Sequence, residues 1–299
     1  MSTPTAKANV ALRIVRRVLV LIAVLLAAAP VYWLIATSLK PADEWVSWPP
    51  HWLPAAPTLQ NYRIVFAPEA ARAFAAGESG SLDYKVSSNA WAAFGDSTII
   101  ATGATLLSVL LGTLAAYGIQ RFGAGGRGFA FQFLTVRMMP PIAAVVPMVV
   151  LFSFLGLTDT YLGLILAYAA FTLPFSIWMI RSFIEEVPEE IEAAARVHGM
   201  GQVEAFFKVT LPLIKGGMLV TALFVFILNW SEFLFALTLT SGNIVTVTLQ
   251  VANYVSASSG KLYGVQAAMG AISTIPVLLF GFLIQRHLVR GMTFGAVKR

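Results

Sequence analysis

Residues 18–39 read VLVLIAVLLAAAPVYWLIATSL, a charge-free run set between Arg16-Arg17 and Lys40. An α-helix rises 1.5 Å per residue, so about 20 mostly apolar residues cross the roughly 30 Å hydrocarbon core of a bilayer. The run is a membrane span by that measure. Four more uncharged runs of similar size follow at Ser97–Gln120, Met138–Thr158, Thr160–Ile180 and Leu262–Gln285. A sixth, near Gly216–Leu239, is interrupted only by Glu232. Of the 299 residues, 58% are apolar and 11% charged, against roughly 45–50% and about 25% in soluble domains. The expected fold is an all-α membrane protein with six transmembrane helices. The prolines inside these runs, Pro140, Pro141 and Pro174 among them, are tolerated where neighbouring helices satisfy the freed carbonyls.

Orientation follows from Lys and Arg, because cytoplasmic segments retain positive charge during insertion. With the N-terminus inside, the inner segments hold fourteen of the twenty basic residues, among them Arg13, Arg16, Arg17, Arg121, Arg181 and Arg286. Both termini are therefore expected in the cytoplasm. The expected division is a cytoplasmic N-terminus (1–17), first span (18–39), outer loop (40–96), second span (97–120) and cytoplasmic loop (121–128). A third span (129–157), a fourth (160–180), a cytoplasmic loop (181–215), a fifth span (216–239), an outer loop (240–261), a sixth span (262–285) and a cytoplasmic tail (286–299) complete it. Ala27-Ala28-Ala29 after an apolar run also suggests a cleavable signal peptide. The run, however, continues to Leu39, longer than the usual 7–15 residues, so a retained helix is expected. The net charge of +6 is accounted for by the inside bias and calls for no nucleic acid.

There is no cysteine, and His51, His198 and His287 are scattered singly. No metal site and no cofactor is expected. No GxxxxGK phosphate loop occurs, so ATP, if used, is bound by another chain. The long outer loop opens with Trp48-Pro-Pro-His-Trp-Leu-Pro, where prolines hold the chain extended and Trp48, Trp52 and Tyr62 suit the membrane interface.

The loop 181–215 carries EEVPEEIEAAARVHGMGQVEAFFKVTLPLIKGG from Glu185 onward. Pro188 suits a helix start, and Glu185, Glu186, Glu189 and Glu190 crowd the positive end of that helix's dipole. Ala193, Ala194 and Ala195 give a small-residue surface, Gly199 and Gly201 permit a break, and a second helix carries Val203, Phe206, Phe207 and Val209 into Leu211-Pro212. The pattern is a helical hairpin across the membrane face. One reading rests it on lipid; the other seats it on a protein partner.

These residues resemble the EAA motif of binding-protein-dependent ABC importer permeases, with Ala194, Ala195, Gly199, Val209, Leu211 and Pro212 at the family spacing. Ala193 stands where the family has Glu, with Glu192 one place earlier, and His198 stands where Asp is common. PPHWLPAAPTLQNY, MMPPIAAVVPMVVLFSFLGLTDTYLGLILAY, NWSEFLFALTLTS and the ending QRHLVRGMTFGAVKR are similar to carbohydrate-uptake permeases related to the second maltose transporter subunit. The resemblance implies the ABC type I importer permease fold in a bacterial inner membrane. It also implies a second homologous permease, two cytoplasmic ATPase subunits docked on the 181–215 loop, and an external substrate-binding protein. The solute would be a sugar or polyol.

Ionisable residues inside a bilayer are costly and are functional candidates by default. Glu232, beside Asn229 and Trp230, either reaches interfacial water or offers a polyol stacking and hydrogen bonding, and Arg137 lines the pathway if its span starts near Phe129 or, the favoured reading, snorkels at the inner surface if it starts at Met138. A secondary transporter would show interrupted inverted repeats, and a membrane-embedded enzyme a cluster of acids or His at one face. Neither pattern is present in the sequence.

Overall fold

The computed structural model describes residues 4–67, 69, 90–126, 128–256 and 260–294. The chain is helical nearly throughout. Its helices are α1 (Pro4–Ser38), α2 (Gln60–Phe66), α3 (Ala90–Phe122), α4 (Phe129–Met138), α5 (Pro141–Phe154), α6 (Tyr161–Glu185), α7 (Glu189–Val197), α8 (Gln202–Trp230), α9 (Leu234–Leu239), α10 (Val247–Asn253) and α11 (Tyr263–Phe294). The only strand pairing among the described residues is the short antiparallel contact of β1 (Val255–Ser256) with β2 (Gly260–Lys261). Among the described residues five helices, α1, α3, α6, α8 and α11, are long and apolar enough to cross a membrane, and α5 is a shorter apolar helix.

Two expected spans are divided. The stretch 129–157 is α4 and α5 rather than one helix, because Pro140 and Pro141 both lack a donor and each disfavours helical geometry in the residue before it. Pro140 is accordingly extended, with ψ 126°. The stretch 216–239 is likewise split, since α8 ends at Trp230 and α9 starts at Leu234. At its other end α8 reaches back to Gln202, into the segment read as loop, so the second arm of the hairpin and the span form one continuous helix. Residues Phe206–Thr210 of α8 form a π turn, in which the Leu211 N–H reaches Phe206 O five residues back. Pro212 supplies the reason: it has no N–H to donate, and its ring would crowd the carbonyl of residue 208 in a regular helix.

The chain divides into two compact units, Met1–Ala90 with Val251–Thr274, and Trp91–Gln250 with Ile275–Arg299. In the first, the end of α1 is tied to the collar that follows it. Asn61 Nδ2 donates to Ser38 O (2.9 Å) and Lys40 O (2.8 Å), and Ser38 Oγ meets Tyr62 OH at 2.7 Å. Ile64, Val65, Val265, Ala268 and Met269 are buried in the same unit. Gly264 is required here, because a Cβ would collide with the Trp45 ring and stand 2.7 Å from Asn61 Nδ2.

The second unit is built on α3, α6 and α8. A Cβ on Gly112 of α3 would lie 2.7 Å from the Ser176 Cβ of α6, so the two backbones approach at a small-residue crossing of the kind membrane helices use. One turn away, Ser108 Oγ and Ser176 Oγ share a hydrogen bond of 2.7 Å. Two apolar clusters flank this crossing. Ile100, Phe152, Leu164, Tyr168, Phe235 and Leu239 belong to one, and Val109, Tyr117, Ile177, Ile180, Ile184, Phe206 and Ile214 to the other.

Candidate functional site: the coupling hairpin

Helix α7 carries Glu189, Glu190 and Glu192 in its first turn and Arg196 in its last, both of which favour the helix dipole. It closes in a Schellman motif: Gly199 N–H reaches Arg196 O at 2.9 Å and Met200 N–H reaches Ala195 O at 3.2 Å, with Gly199 at φ +89°. That backbone angle is one glycine adopts without cost. The chain then turns into α8, where Lys208 Nζ and Glu204 Oε1 pair at 2.6 Å on the exposed face.

The helical period divides α7 into two faces. Glu192 and Ala195 point inward and are buried, while Ile191 and Ala194 are exposed. Glu192 Oε2 accepts from Tyr117 OH (2.9 Å) and Oε1 from Arg121 Nε (2.8 Å). Arg121 also donates from Nη2 to Val187 O (2.7 Å) and Ile184 O (3.3 Å), and from Nη1 to Glu189 Oε1 (3.4 Å). The guanidinium thus ties the inner end of α3 to the end of α6 and the start of α7. Burial works to raise the Glu192 pKa, but hydrogen bonds led by that from Arg121 outweigh it and hold the carboxyl below its usual range. The Tyr117 ring lies 4.5 Å from that of Phe206, so the same corner grips the π turn.

The expected three-alanine surface is narrower than the sequence implied. Ala195 is buried, Ala193 half-buried and Ala194 exposed, and Glu190 is an exposed carboxylate. The exposed apolar residues of the hairpin are Ile191, Val197 (86% exposed), Val203 and Phe207, the last two one turn apart on α8. Val209 and Leu211 are half-buried and Pro212 exposed. Arg121 and Tyr117 did not emerge from the sequence as site residues. Their signal was available: they stand four apart at the inner end of α3 and share a face.

The proposed pathway residues differ in their surroundings. Asn229 is buried and donates to Thr105 Oγ1 at 3.2 Å, and Trp230 is buried and stacked on Phe226 at 5.6 Å. Glu232 is half-buried, and its Oε1 accepts from Phe235 N–H at 2.9 Å, capping α9. Arg137 lies on α4, with its side chain outside the described residues. At the opposite end of the unit from the hairpin, two aspartates hold the segment 241–245. Asp159 accepts from Ser241 Oγ (2.7 Å), Asn243 N (3.1 Å) and Ile244 N (3.1 Å), and Asp96 from Val245 N (3.0 Å) and Tyr161 OH (2.6 Å).

Residues 108–294, which include the whole hairpin, match the family described as binding-protein-dependent transport system inner membrane component. The chain belongs to that family. It is 34% identical to the trehalose transport system permease protein SugB of Mycobacterium tuberculosis over 275 residues, which cover 91% of this chain and 93% of that one. It is 34% identical to the trehalose/maltose transport system permease protein MalG of Thermococcus litoralis, over 68% of this chain and 74% of the relative. A chain from the crystal structure of a bacterial ABC transporter involved in the import of the acidic polysaccharide alginate has the same fold, with a TM-score of 0.71 over 96% of this chain and 98% of that one, at 19% identity. This inner-membrane permease is thus a transport component rather than an enzyme, and it works with separate ATPase and substrate-binding components.

Proposed function

We propose that this permease is one of two homologous membrane subunits of an ATP-driven importer for a sugar or sugar-like solute, with two ATPase subunits on the cytoplasmic side and a soluble binding protein outside. The observation that carries this reading is the hairpin of α7 and α8, which exposes Ile191, Ala194, Val197, Val203 and Phe207 while its inner face is fixed by Arg121 and Glu192. An apolar surface held rigidly by polar bonds behind it is suited to transmit force from a docked protein, and a lipid-resting hairpin would not need that brace. The solute class is supported by relatives whose names specify trehalose and maltose over most of the chain.

Transport requires no covalent chemistry from this chain. Closing and opening of the ATPase dimer moves α7, and α8 carries that motion into the membrane because the hairpin's second arm and the span are one helix. Glu232, whose Oε1 caps α9, is the polar candidate for solute contact through its other carboxylate oxygen, with Asn229 and Trp230 beside it in sequence, and Arg137 on α4 is a second candidate. Glu190 sits on the exposed side of α7 as a carboxylate available to the ATPase.

The test is reconstitution with the partner subunits and the cognate binding protein. ATPase activity should rise when the binding protein is loaded with a disaccharide, and Ala194→Leu should abolish that rise or release the ATPase subunits while the permease still inserts. Full transport and normal ATPase retention in Ala194→Leu would refute the coupling role. A binding protein that responds to no sugar would refute the substrate class alone.

A further inference from the structure

Tyr168 on α6 is buried at 2% exposure, and its hydroxyl has no hydrogen-bond partner among the described residues. Buried tyrosine hydroxyls usually find one, because an unmade hydrogen bond in a low-dielectric interior costs the full desolvation of the group. The burial is produced by this chain alone. No neighbouring subunit can therefore reach the hydroxyl unless the helices that cover it move. Tyr168 shares its apolar cluster with Ile100 of α3, Phe152 of α5, Leu164 of α6, and Phe235 and Leu239 of α9. A water held there would need at least two polar partners, and these side chains offer none.

An acceptor with a free oxygen stands at the break between α8 and α9. Glu232 Oε1 takes the Phe235 N–H at 2.9 Å, and the second carboxylate oxygen has no hydrogen bond among the described residues. Phe235 carries that cap into the cluster of Tyr168. Its ring meets Phe171 edge to face at 5.5 Å, and Phe171 lies one turn along α6 from Tyr168. The Glu232 carboxylate is within electrostatic range of Tyr168, yet the two side chains do not hydrogen-bond.

The element between them is built to shift. Helix α9 has six residues, Leu234–Leu239, and the helix is broken on both sides: α8 stops at Trp230, and Thr240 is extended with ψ 153°. Short segments between two such breaks absorb the angle changes of domain and helix motions.

We infer, resting on the alternating importer proposed above, that Tyr168 is a positioning residue for Glu232: in the opposite conformation α9 shifts on α6, and the Tyr168 hydroxyl donates to the free Glu232 oxygen. The hydroxyl is unpaired in one half of the cycle and paired with a charged acceptor, the stronger kind of hydrogen bond, in the other. In the paired half that oxygen is no longer open to a solute hydroxyl.

The test uses the complete importer in detergent, nucleotide-free and trapped with ADP and orthovanadate. Thermal loss of this subunit from the complex is followed through a fluorescent protein fused to its N-terminus. Tyr168→Phe removes the hydroxyl and keeps the ring, so it should raise the apparent Tm in one state and lower it in the other, by about 2 °C or more in each. In a Glu232→Ala background the hydroxyl has no acceptor in either state, and Tyr168→Phe should raise the Tm in both. A rise in both states with Glu232 present would mean that the hydroxyl is never paired. A fall in both would mean that a buried water satisfies it throughout, and no change in either would mean that it carries no penalty; each result overturns the proposal. Opposite shifts that persist in Glu232→Ala would assign the acceptor elsewhere and overturn it as well. Failure of vanadate to trap the unaltered complex would defeat the importer reading itself, and the proposal with it.

Discussion

The Arg121 guanidinium on α3 sits 2.8 Å from the Glu192 carboxylate on α7, with both side chains almost wholly buried at 7% and 8% exposure. A buried pair of this kind adds little net stability over an apolar replacement, but breaking it strands a charge. Its value here lies in orientation. Arg121 satisfies two carbonyls at the end of α6 as well as Glu192, so the angle of the hairpin follows that of α3.

Arg121→Gln should therefore lower the thermal stability of the purified permease by at least about 1–3 kcal/mol, the cost of an unmade buried hydrogen bond. It should also reduce ATPase stimulation by loaded binding protein. Arg121→Gln with Glu192→Gln should recover stability without full stimulation, since the charge is no longer stranded but the fork geometry is gone. Single and double variants of equal stability would mean that the pair is not coupled.

Gly199 has open space around the position a Cβ would take, but its φ of +89° disfavours any L side chain. Substitution then acts through backbone strain of about 1–2 kcal/mol and not through collision. Gly199→Asn should be better tolerated than Gly199→Asp, which adds a charge at the exposed turn. Membrane insertion should be normal in both, with ATPase subunits lost from Gly199→Asp on purification. Retention of those subunits by Gly199→Asp would show that the turn is not at the docking surface.

At the crossing of α3 and α6, Gly112→Ala puts a Cβ 2.7 Å from that of Ser176, and neither backbone can yield without disturbing the Ser108–Ser176 hydrogen bond. Overpacking of this kind costs about 1–3 kcal/mol. Thermal unfolding in detergent should show the loss. Gly118→Ala, on the same helix with nothing within 4 Å, is the control and should be neutral or slightly stabilising.

Asp159 has a depressed pKa: burial acts to raise it, but hydrogen bonds from Ser241 and from the backbone N–H groups of Asn243 and Ile244 prevail. A carboxylate with a folded pKa below its unfolded value stabilises the native state above the unfolded pKa, about 3.9 for Asp, and loses that contribution as pH falls through the folded pKa. Asp159→Ala should thus be less stable than the unaltered chain by a constant margin from pH 7 to pH 5, narrowing below about pH 4. A margin that widens in acid would contradict the assignment. The φ of +56° at this position adds a separate cost for Ala that does not vary with pH.

The sequence by itself determined the class and orientation of this protein, because both rest on local quantities. Length and hydropathy of the run at Val18–Leu39 do not depend on what packs beside it, and neither does the placement of Arg13, Arg16 and Arg17 at its inner end. The Pro188 start and Gly199 stop of α7 are equally local, since a cap or a positive φ is satisfied within a few residues. Tertiary structure alone decided which face of α7 is presented. Ala193, Ala194 and Ala195 look alike in sequence, and only the carboxylate of Glu192, drawn inward by an arginine 71 positions away, turns Ala195 in and leaves Ala194 out. The partner of the Glu232 carboxylate was likewise undecidable from hydropathy, because it depends on where the helix breaks. Here the break after Trp230 gives one oxygen of its carboxylate the Phe235 N–H, three residues on, as a partner, an outcome that hydropathy does not encode.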